Sequence, residues 1–280
     1  MQSVFDELYE NSLAKCEFKN LISIITAEEN IRLAYRNLKK NAGSRTPGTD
    51  GKTIADLAKM SEPELIGFVQ QKFNWYQPQS VRRKEIPKGN GKTRPLGIPT
   101  IMDRLIQQCV LQVMEPICEA KFCETSNGFR PNRGVENALA QAEKHMQKSN
   151  LHIVIDIDIK GFFDNVNHGK LLRQIWAMGI HDKKLLSIIS AMLKAEVAGI
   201  GFPEKGTPQG GILSPLLSNI VLNELDWWIT SQWVGMPTRH EYSGKIHENG
   251  TKDQSKKYRE LRKTNLKECY IVRSVSYTHL

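Results

Sequence analysis

The sequence lacks any run of about 18 consecutive apolar residues, the length that a membrane-spanning helix requires. Its first residues, Met1 to Glu7, have neither a basic flank nor an apolar core, so we expect no secretory signal peptide. No internal repeat or low-complexity linker is present. Of its 280 residues, 40% are apolar and 25% charged, which excludes a disordered polymer or a collagen-like fibre and predicts a folded chain with a sizeable core.

Cysteine is scarce, and its distribution is irregular. The five cysteines are Cys16, Cys109, Cys118, Cys123 and Cys269. Their odd number argues against a disulfide framework, and no nearby histidine completes a zinc-binding pattern. We therefore expect free thiols in a reducing cytoplasm, and the lack of a spanning apolar run predicts no membrane partner.

Acidic residues are fewer than basic ones: the sequence has 30 Asp and Glu and 39 Lys and Arg, which gives a net charge of +9. The excess is concentrated in two stretches. Residues 82–94 carry six basic residues against Glu85, and residues 252–273 carry eight against three acidic ones. A solvated surface is the ordinary explanation of one such run, but two of them favour a polyanionic partner such as nucleic acid.

Apolar periodicity and capping signals predict a helix-rich α+β protein. Thr26–Glu29 reads as a capping box, Ser61–Glu64 as a second helix start, and Ser214–Pro215 as a cap followed by proline. Asp103 is expected to start a helix that ends near Pro116. Further helices are predicted over 135–146 and 185–193, and Asp164 is a candidate N-cap.

Two stretches have the character of strands. Residues 81–86 and 94–98 flank the glycine-rich basic turn Lys88–Lys92, which predicts a hairpin. The run 153–159 is rich in isoleucine and valine, and strand periodicity places Asp156 and Asp158 on one face.

A carboxylate at the end of an apolar strand is costly unless a cation or hydrogen-bond donors meet it. Asp158 precedes Gly161 closely and could bind a divalent metal that acts on phosphates, or it could simply cap a turn at the surface. Asp156 shares the strand face and could be the ligand instead. The spacing alone leaves these alternatives open.

Two further segments could contact a nucleotide. Lys88 and Arg94 beside a flexible turn suit capture of a triphosphate, although an exposed hairpin tip would look the same. The segment 206–211 has three glycines, which allow backbone to approach a ligand, and Gln209 could hydrogen-bond a base or a sugar. Taken alone, this segment could equally be a loop that precedes a helix.

Taken together, these segments resemble the reverse transcriptases encoded by bacterial group II introns. Order and spacing agree from about residue 27 to residue 273. The matching blocks are Thr46–Gly51, Arg82–Gln107, Ser126–Pro131 (Ser-Asn-Gly-Phe-Arg-Pro), Asp156–His168 and Gly206–Asn219. The fold implied is the fingers and partial palm of a right-hand polymerase, α+β and helix-rich, with a small antiparallel sheet.

The resemblance also implies roles for individual residues. Asp158 would be the catalytic aspartate and a metal ligand, with the backbone carbonyl of Ile159 as a further ligand for one of two Mg²⁺ ions. Lys88 and Arg94 would hold the triphosphate, Gln209 would contact the nucleotide, and Phe163 would exclude a 2′-hydroxyl. Contacts to RNA or phosphate would come from Arg82, Arg83 and Lys84. The implied partners are group II intron RNA, an RNA template with a DNA primer, and deoxynucleoside triphosphates.

One departure bears on activity. The family carries a second aspartate pair, in Tyr-Ala-Asp-Asp, right after a run like Tyr270–Arg273, whereas here no Asp or Glu follows Glu268. We therefore expect a truncated and inactive polymerase; the alternative is a non-catalytic, maturase-like RNA-binding module. The expected divisions are N-terminal fingers helices with the extra block (1–75), the reverse transcriptase domain (76–273) and a non-native tail (274–280).

Overall fold

The computed structural model describes residues 1–87, 93–148, 151–242, 244–248, 250 and 252–274. Short 3-10 turns lie at Ala42–Arg45 and Phe163–Asn165. The helices are α1 (Gln2–Leu13), α2 (Leu21–Ile25), α3 (Glu28–Lys40), α4 (Ile54–Leu57), α5 (Glu62–Asn74), α6 (Ile101–Glu119), α7 (Val135–Lys148), α8 (His168–Ala177), α9 (Lys183–Leu193), α10 (Ser214–Gln232) and α11 (Ser255–Leu261). The strands are β1 (Arg82–Pro87) and β2 (Thr93–Ile98).

The chain divides into two compact units, Met1–Phe122 with Ile157–Val221 and Cys123–Asp156 with Leu222–Leu280. The expected boundary near residue 75 stays a prediction. None of the described helices combines the length and the apolar character needed to cross a membrane.

Helix α6 is the centre of the first unit. Its side chains are apolar on almost every side, and Leu105, Ile106, Val110 and Val113 are completely buried. A helix that is apolar all round must be covered on all faces, and α1, α2 and α3 pack against it. The helix begins earlier than predicted, because Thr100 rather than Asp103 is its N-cap, with the Thr100 hydroxyl accepting a hydrogen bond from the Asp103 amide at 3.2 Å.

The predicted helix starts had mixed outcomes. At α5 the predicted helix start is confirmed, and Ser61 forms a capping box there, in which the Glu64 carboxylate accepts from the Ser61 amide at 2.8 Å. The Thr26 capping box is wrong, because the Thr26 hydroxyl donates instead to the carbonyl of Ile22 at 2.8 Å. That carbonyl lies in α2, which ends just before Thr26, so the hydroxyl satisfies the end of one helix rather than the start of the next.

Asp164 is not an N-cap either. Helix α8 is capped by Asn167, whose side chain accepts from the Lys170 amide at 2.8 Å. Asp182 caps α9 through the Leu185 amide at 3.0 Å, and its second oxygen accepts from the amides of Leu21 and Ile22 at 2.8 and 3.1 Å. One buried carboxylate thus joins α2 to α9.

The hairpin is confirmed as an antiparallel pair of strands. Arg82 lies opposite Ile98, and Ile86 lies opposite Arg94. The predicted turn, residues 88–92, is outside the described residues. With its many helices and this two-stranded sheet, the structure has the predicted helix-rich α+β fold of polymerase fingers and palm.

The strand predicted over 153–159 is not formed. Residues 151–159 have no assigned secondary structure, and the side chains of Ile153, Val154, Ile155 and Ile157 are 70–87% exposed. A strand needs a hydrogen-bonded neighbour, and no described residue pairs with this segment. Composition alone therefore identified a sequence with strand propensity but could not supply its partner.

Within the second unit, Arg273 joins distant parts of the chain. Its Nε donates to both carboxylate oxygens of Asp226 at 2.9 Å, and it also bonds the Ser126 hydroxyl. Its backbone amide donates to the carbonyl of Thr125 at 2.9 Å, while its own carbonyl accepts from Asn127 at 2.8 Å. Because Asp226 is fully buried, the attraction of this guanidinium offsets the cost of desolvating its carboxylate.

Replacing Asp182 tests the link between α2 and α9. We expect Asp182→Ala to lower the free energy of unfolding by about 2–4 kcal/mol, because three buried or half-buried amides lose a charged acceptor. The exposed Asp6→Ala is the matched control and should change stability by less than about 0.5 kcal/mol. Urea unfolding measures both, and equal losses would contradict the assignment.

Replacing Asp226 tests the buried ion pair. We expect Asp226→Ala to destabilise the second unit by about 3–5 kcal/mol, because it leaves the Arg273 charge buried and unpaired. The double variant Asp226→Leu with Arg273→Met removes both charges and should recover most of this loss. Hydrogen exchange of the peptide containing residues 125–127 is the measurement, and unchanged protection in Asp226→Ala would refute the prediction.

Candidate nucleotide and nucleic-acid site

The loop 206–211 packs against the 3-10 turn that contains Phe163. The Gly206 amide donates to the carbonyl of Val166 at 2.7 Å, and the Thr207 amide donates to the carbonyl of Phe163 at 2.8 Å. These backbone bonds fix the start of the loop beside residues 163–166. Two segments that lie some 40 residues apart in the sequence therefore form one site.

The same loop also touches strand β2, and glycine is required at the contact. A Cβ atom on Gly210 would lie 2.2 Å from the carbonyl oxygen of Gly97, which is far too close. Gly206 has a φ of +95°, and a Cβ there would lie 3.1 Å from the carbonyl oxygens of Phe163 and Asp164. The glycines predicted to admit a ligand thus serve close contact between segments of this chain.

Two buried polar side chains form hydrogen bonds with the backbone of the loop and of the residues that follow it. Gln107 of α6 accepts from the amides of Ile212 and Leu213 at 2.8 and 3.5 Å. His168 is 6% exposed, and its Nε2 donates to the carbonyl of Gly206 at 2.7 Å. The sequence analysis assigned neither residue a role, although a glutamine directly after the apolar pair Leu105–Ile106 of a predicted helix is the signal that could have revealed the first.

Gln209 lies beside the turn that contains Phe163. Phe163 is 7% exposed and packs edge-on against Phe162, with ring centroids 5.7 Å apart. The Gln209 amide donates to the Asp164 carboxylate at 3.4 Å. The hydroxyl of Thr207 is buried and has no hydrogen-bond partner among the residues that the structure describes.

The hairpin contributes positive charge to the site. By strand alternation Arg82 and Lys84 share one face, and Arg83 faces the other way. Arg83 pairs with Glu85 at 2.7 Å, and its guanidinium lowers the pKa of that carboxyl. The Nε of Arg82 is buried and has no hydrogen-bond partner within the described ranges. Lys88 lies outside the described residues, and only the backbone of Arg94 is described.

Asp158 and Ile159 lie in the exposed segment 151–159, apart from any cluster of ligands. Over the described ranges of the chain, no group of three or more His, Cys, Asp or Glu residues could hold a metal ion. A pair of divalent ions requires carboxylates that converge from more than one segment. The described donor set therefore does not fit the implied two-ion site, and Asp158 with the Ile159 carbonyl would be a partial one.

Two more polar residues of α6 position the loops around the hairpin. The Arg104 guanidinium donates to the carbonyls of Gly43 and Thr46 at 2.7 Å each. Asp103 accepts from the Tyr76 hydroxyl at 2.9 Å and from the Gln79 amide at 3.1 Å. Burial raises the pKa of Asp103, while these donors partly offset the rise. The loop that follows α3 and the segment that leads into β1 are thus tied to one helix.

Comparison with known proteins identifies the family to which the chain belongs. A family model described as reverse transcriptase (RNA-dependent DNA polymerase) matches residues 86–249. Protein YkfC of Escherichia coli K12 is 35% identical over 231 residues, which cover 80% of this chain and 60% of YkfC. The group II intron-encoded protein LtrA of Lactococcus lactis subsp. cremoris is 38% identical over 240 residues, covering 81% of this chain and 38% of LtrA.

Among solved structures, a chain of a partial Cas6-RT-Cas1–Cas2 complex aligns with a TM-score of 0.48 at 22% identity, covering 76% of this chain and 35% of that one. The chain spans about 60% of the length of YkfC and 38% of the length of LtrA. The resemblance read from the motifs is confirmed. The relatives that it matches are consistent with a place among the group II intron reverse transcriptases and maturases. The chain belongs to the reverse transcriptase (RNA-dependent DNA polymerase) family.

Proposed function

We propose that this chain is the fingers and partial palm of a group II intron-encoded RNA-directed DNA polymerase that assists intron mobility and splicing. The observation that carries the proposal is the junction of β2, the loop 206–211 and the turn at Phe163, which lies within the family match. Its proposed partners are group II intron RNA, an RNA template with a DNA primer, and deoxynucleoside triphosphates. The bacterial cytoplasm is the proposed location.

At this junction we assign nucleotide contacts. Gln209 lies beside the turn at Phe163, where an incoming nucleotide could meet both residues. Phe163 is proposed to exclude the 2′-hydroxyl, and its nearly complete burial supports a fixed ring position. Lys88 and Arg94 are the proposed triphosphate ligands, because both flank the turn of the hairpin. Each of these roles needs only binding and orientation by the residues of this chain.

We further propose that Arg82, Arg83 and Lys84 bind RNA through its phosphates. Arg83 and Lys84 are exposed on β1, and Arg82 lies half-buried on the same strand. The planar guanidinium of arginine is well suited to phosphate oxygens, and the ammonium of lysine supplies a compact positive charge. Phosphate contacts release counterions from RNA, so the affinity should depend steeply on salt.

The salt dependence of RNA binding tests this assignment. We expect replacement of Arg82, Arg83 and Lys84 with alanine to weaken binding of a structured RNA and to reduce the log–log salt slope by about 2. The matched control replaces Arg36, Lys39 and Lys40, which are exposed cations of α3, and should preserve the slope. Fluorescence anisotropy over a salt series measures both variants. If the two slopes fall equally, the contact is general charge attraction and not a site on β1.

Catalysis is a separate matter from binding. Phosphoryl transfer depends on positioning and charge neutralisation, for which this family generally uses divalent metal ions. Asp158 and the Ile159 carbonyl offer donors from one segment, and Asp156 lies about 6–7 Å further along an extended chain. We therefore propose that residues 1–280 by themselves bind RNA without polymerising, as a maturase-like module would.

Primer extension distinguishes the two activities. We expect residues 1–280 with Mg²⁺ to give no extension of a DNA primer on an RNA template, while the same preparation binds that template. Asp158→Ala is the control variant and should be indistinguishable from the parent. Extension by the parent that vanishes in Asp158→Ala would show that a complete catalytic site exists and that the proposed inactivity is wrong.

A further inference from the structure

A second concave surface of the first unit lies away from the hairpin, between the start of α2 and the α8–α9 connection. This surface is open to solvent and has a volume of about 860 Å³, within the range of ligand sites, about 300–1,000 Å³. Its lining includes three lysines, two acidic residues, Trp176 and His181. We call it the α2–α9 groove. The motifs described above assign it no role.

Two stacked rings form one wall of the groove. The Trp176 indole and the His181 imidazole have centroids 4.1 Å apart and an interplanar angle of 17°. His181 Nε2 donates to the carbonyl of Trp176 at 3.1 Å, which fixes the imidazole against the indole. Trp176 nevertheless remains 40% exposed. The groove thus presents a planar aromatic surface whose orientation is already set.

Positive charge lines the same groove. Lys183 and Lys184 are exposed and form no ion pair with any described residue. Arg173, also exposed, lies one helical turn before Trp176 on the same side of α8.

The two carboxylates of the groove are engaged within the chain. Glu17 pairs with Lys19 at 2.8 Å and lies 3.3 Å from His181. Asp182 is buried and accepts from three backbone amides. Neither is free to bind a cation, and the unpaired charge that faces solvent is therefore positive.

We propose that the α2–α9 groove binds single-stranded RNA, with a base stacked on Trp176 and adjoining phosphates on Lys183 and Lys184. An aromatic face beside lysines is the combination that single strands use, because an unstacked base offers a flat surface and the backbone offers charge. Duplex RNA buries its base faces and cannot use the ring. The inference rests on the proposed RNA binding and adds a contact surface independent of β1.

An acidic peptide would also pair with Lys183 and Lys184, but it gains nothing from an exposed indole. The discriminating residue is therefore Trp176. Its ring makes stacking measurable both as affinity and as fluorescence, since a stacked base quenches the indole. Lys183 and Lys184 report charge alone, and their exposure makes them replaceable without disturbing the fold.

The experiment measures binding of a fluorescein-labelled eight-nucleotide oligoadenylate to residues 1–280 by anisotropy. We expect Trp176→Ala to weaken binding about tenfold, within the range for loss of one stacked base, and Trp176→Phe to retain most of the affinity. The double change Lys183→Ala with Lys184→Ala should lower the log–log salt slope by about 1.4. Trp75→Ala is the matched control, because Trp75 is 78% exposed in the same unit but outside the groove.

Several results would overturn the inference. They are an unchanged affinity in both groove variants, an equal loss in Trp75→Ala, or an octaglutamate peptide that displaces the oligonucleotide and binds independently of Trp176. If the β1 triple variant weakens binding while the groove variants do not, the groove is excluded and the proposed RNA binding stands. If the parent chain binds no RNA at all, both proposals fail. The lysine variant keeps the test decisive should Trp176→Ala unfold.

Discussion

Burial of α6 on every side is the constraint on which the first unit depends. A helix in this position cannot leave a polar side chain without a partner, because desolvation is then uncompensated. Yet α6 carries Asp103, Arg104, Gln107 and Gln112 among its buried residues. Each of these four side chains therefore needs a hydrogen-bond partner in the segments that pack against the helix.

The partners are loops and helix ends. Arg104 donates to the carbonyls of residues 43 and 46. Asp103 accepts from the backbone amide of Gln79, just before β1, and Gln107 accepts from the backbone amide of Ile212. Gln112 donates to the side chain and carbonyl of Asn30. The polar residues of one buried helix thus place the segments that make up the candidate site. Gln107 in particular orients a loop that lies far from it in the sequence.

Much of this could be predicted from local patterns. The hairpin, α5 and α10 were predicted from signals that act within a few residues, namely turn glycines, a helix start with proline in its first turn, and a cap followed by proline. The errors share a different cause. Thr26 and Asp164 had the right chemistry for caps, but neighbouring segments determined whether that chemistry was used, and the 153–159 strand needed a partner that propensity cannot specify. The grouping of Phe163 with Gln209 came from a resemblance and not from spacing, while the support from His168 depends on tertiary contact.

The contact between Gly97 and Gly210 has a mechanical consequence. With no side chain between the two backbones, nothing soft separates the hairpin from the loop. A displacement of β2 would therefore act directly on the backbone of residues 206–211. The hairpin that carries the cations and the loop that carries Gln209 should then move together, so that binding of a polyanion to the hairpin alters the position of the loop.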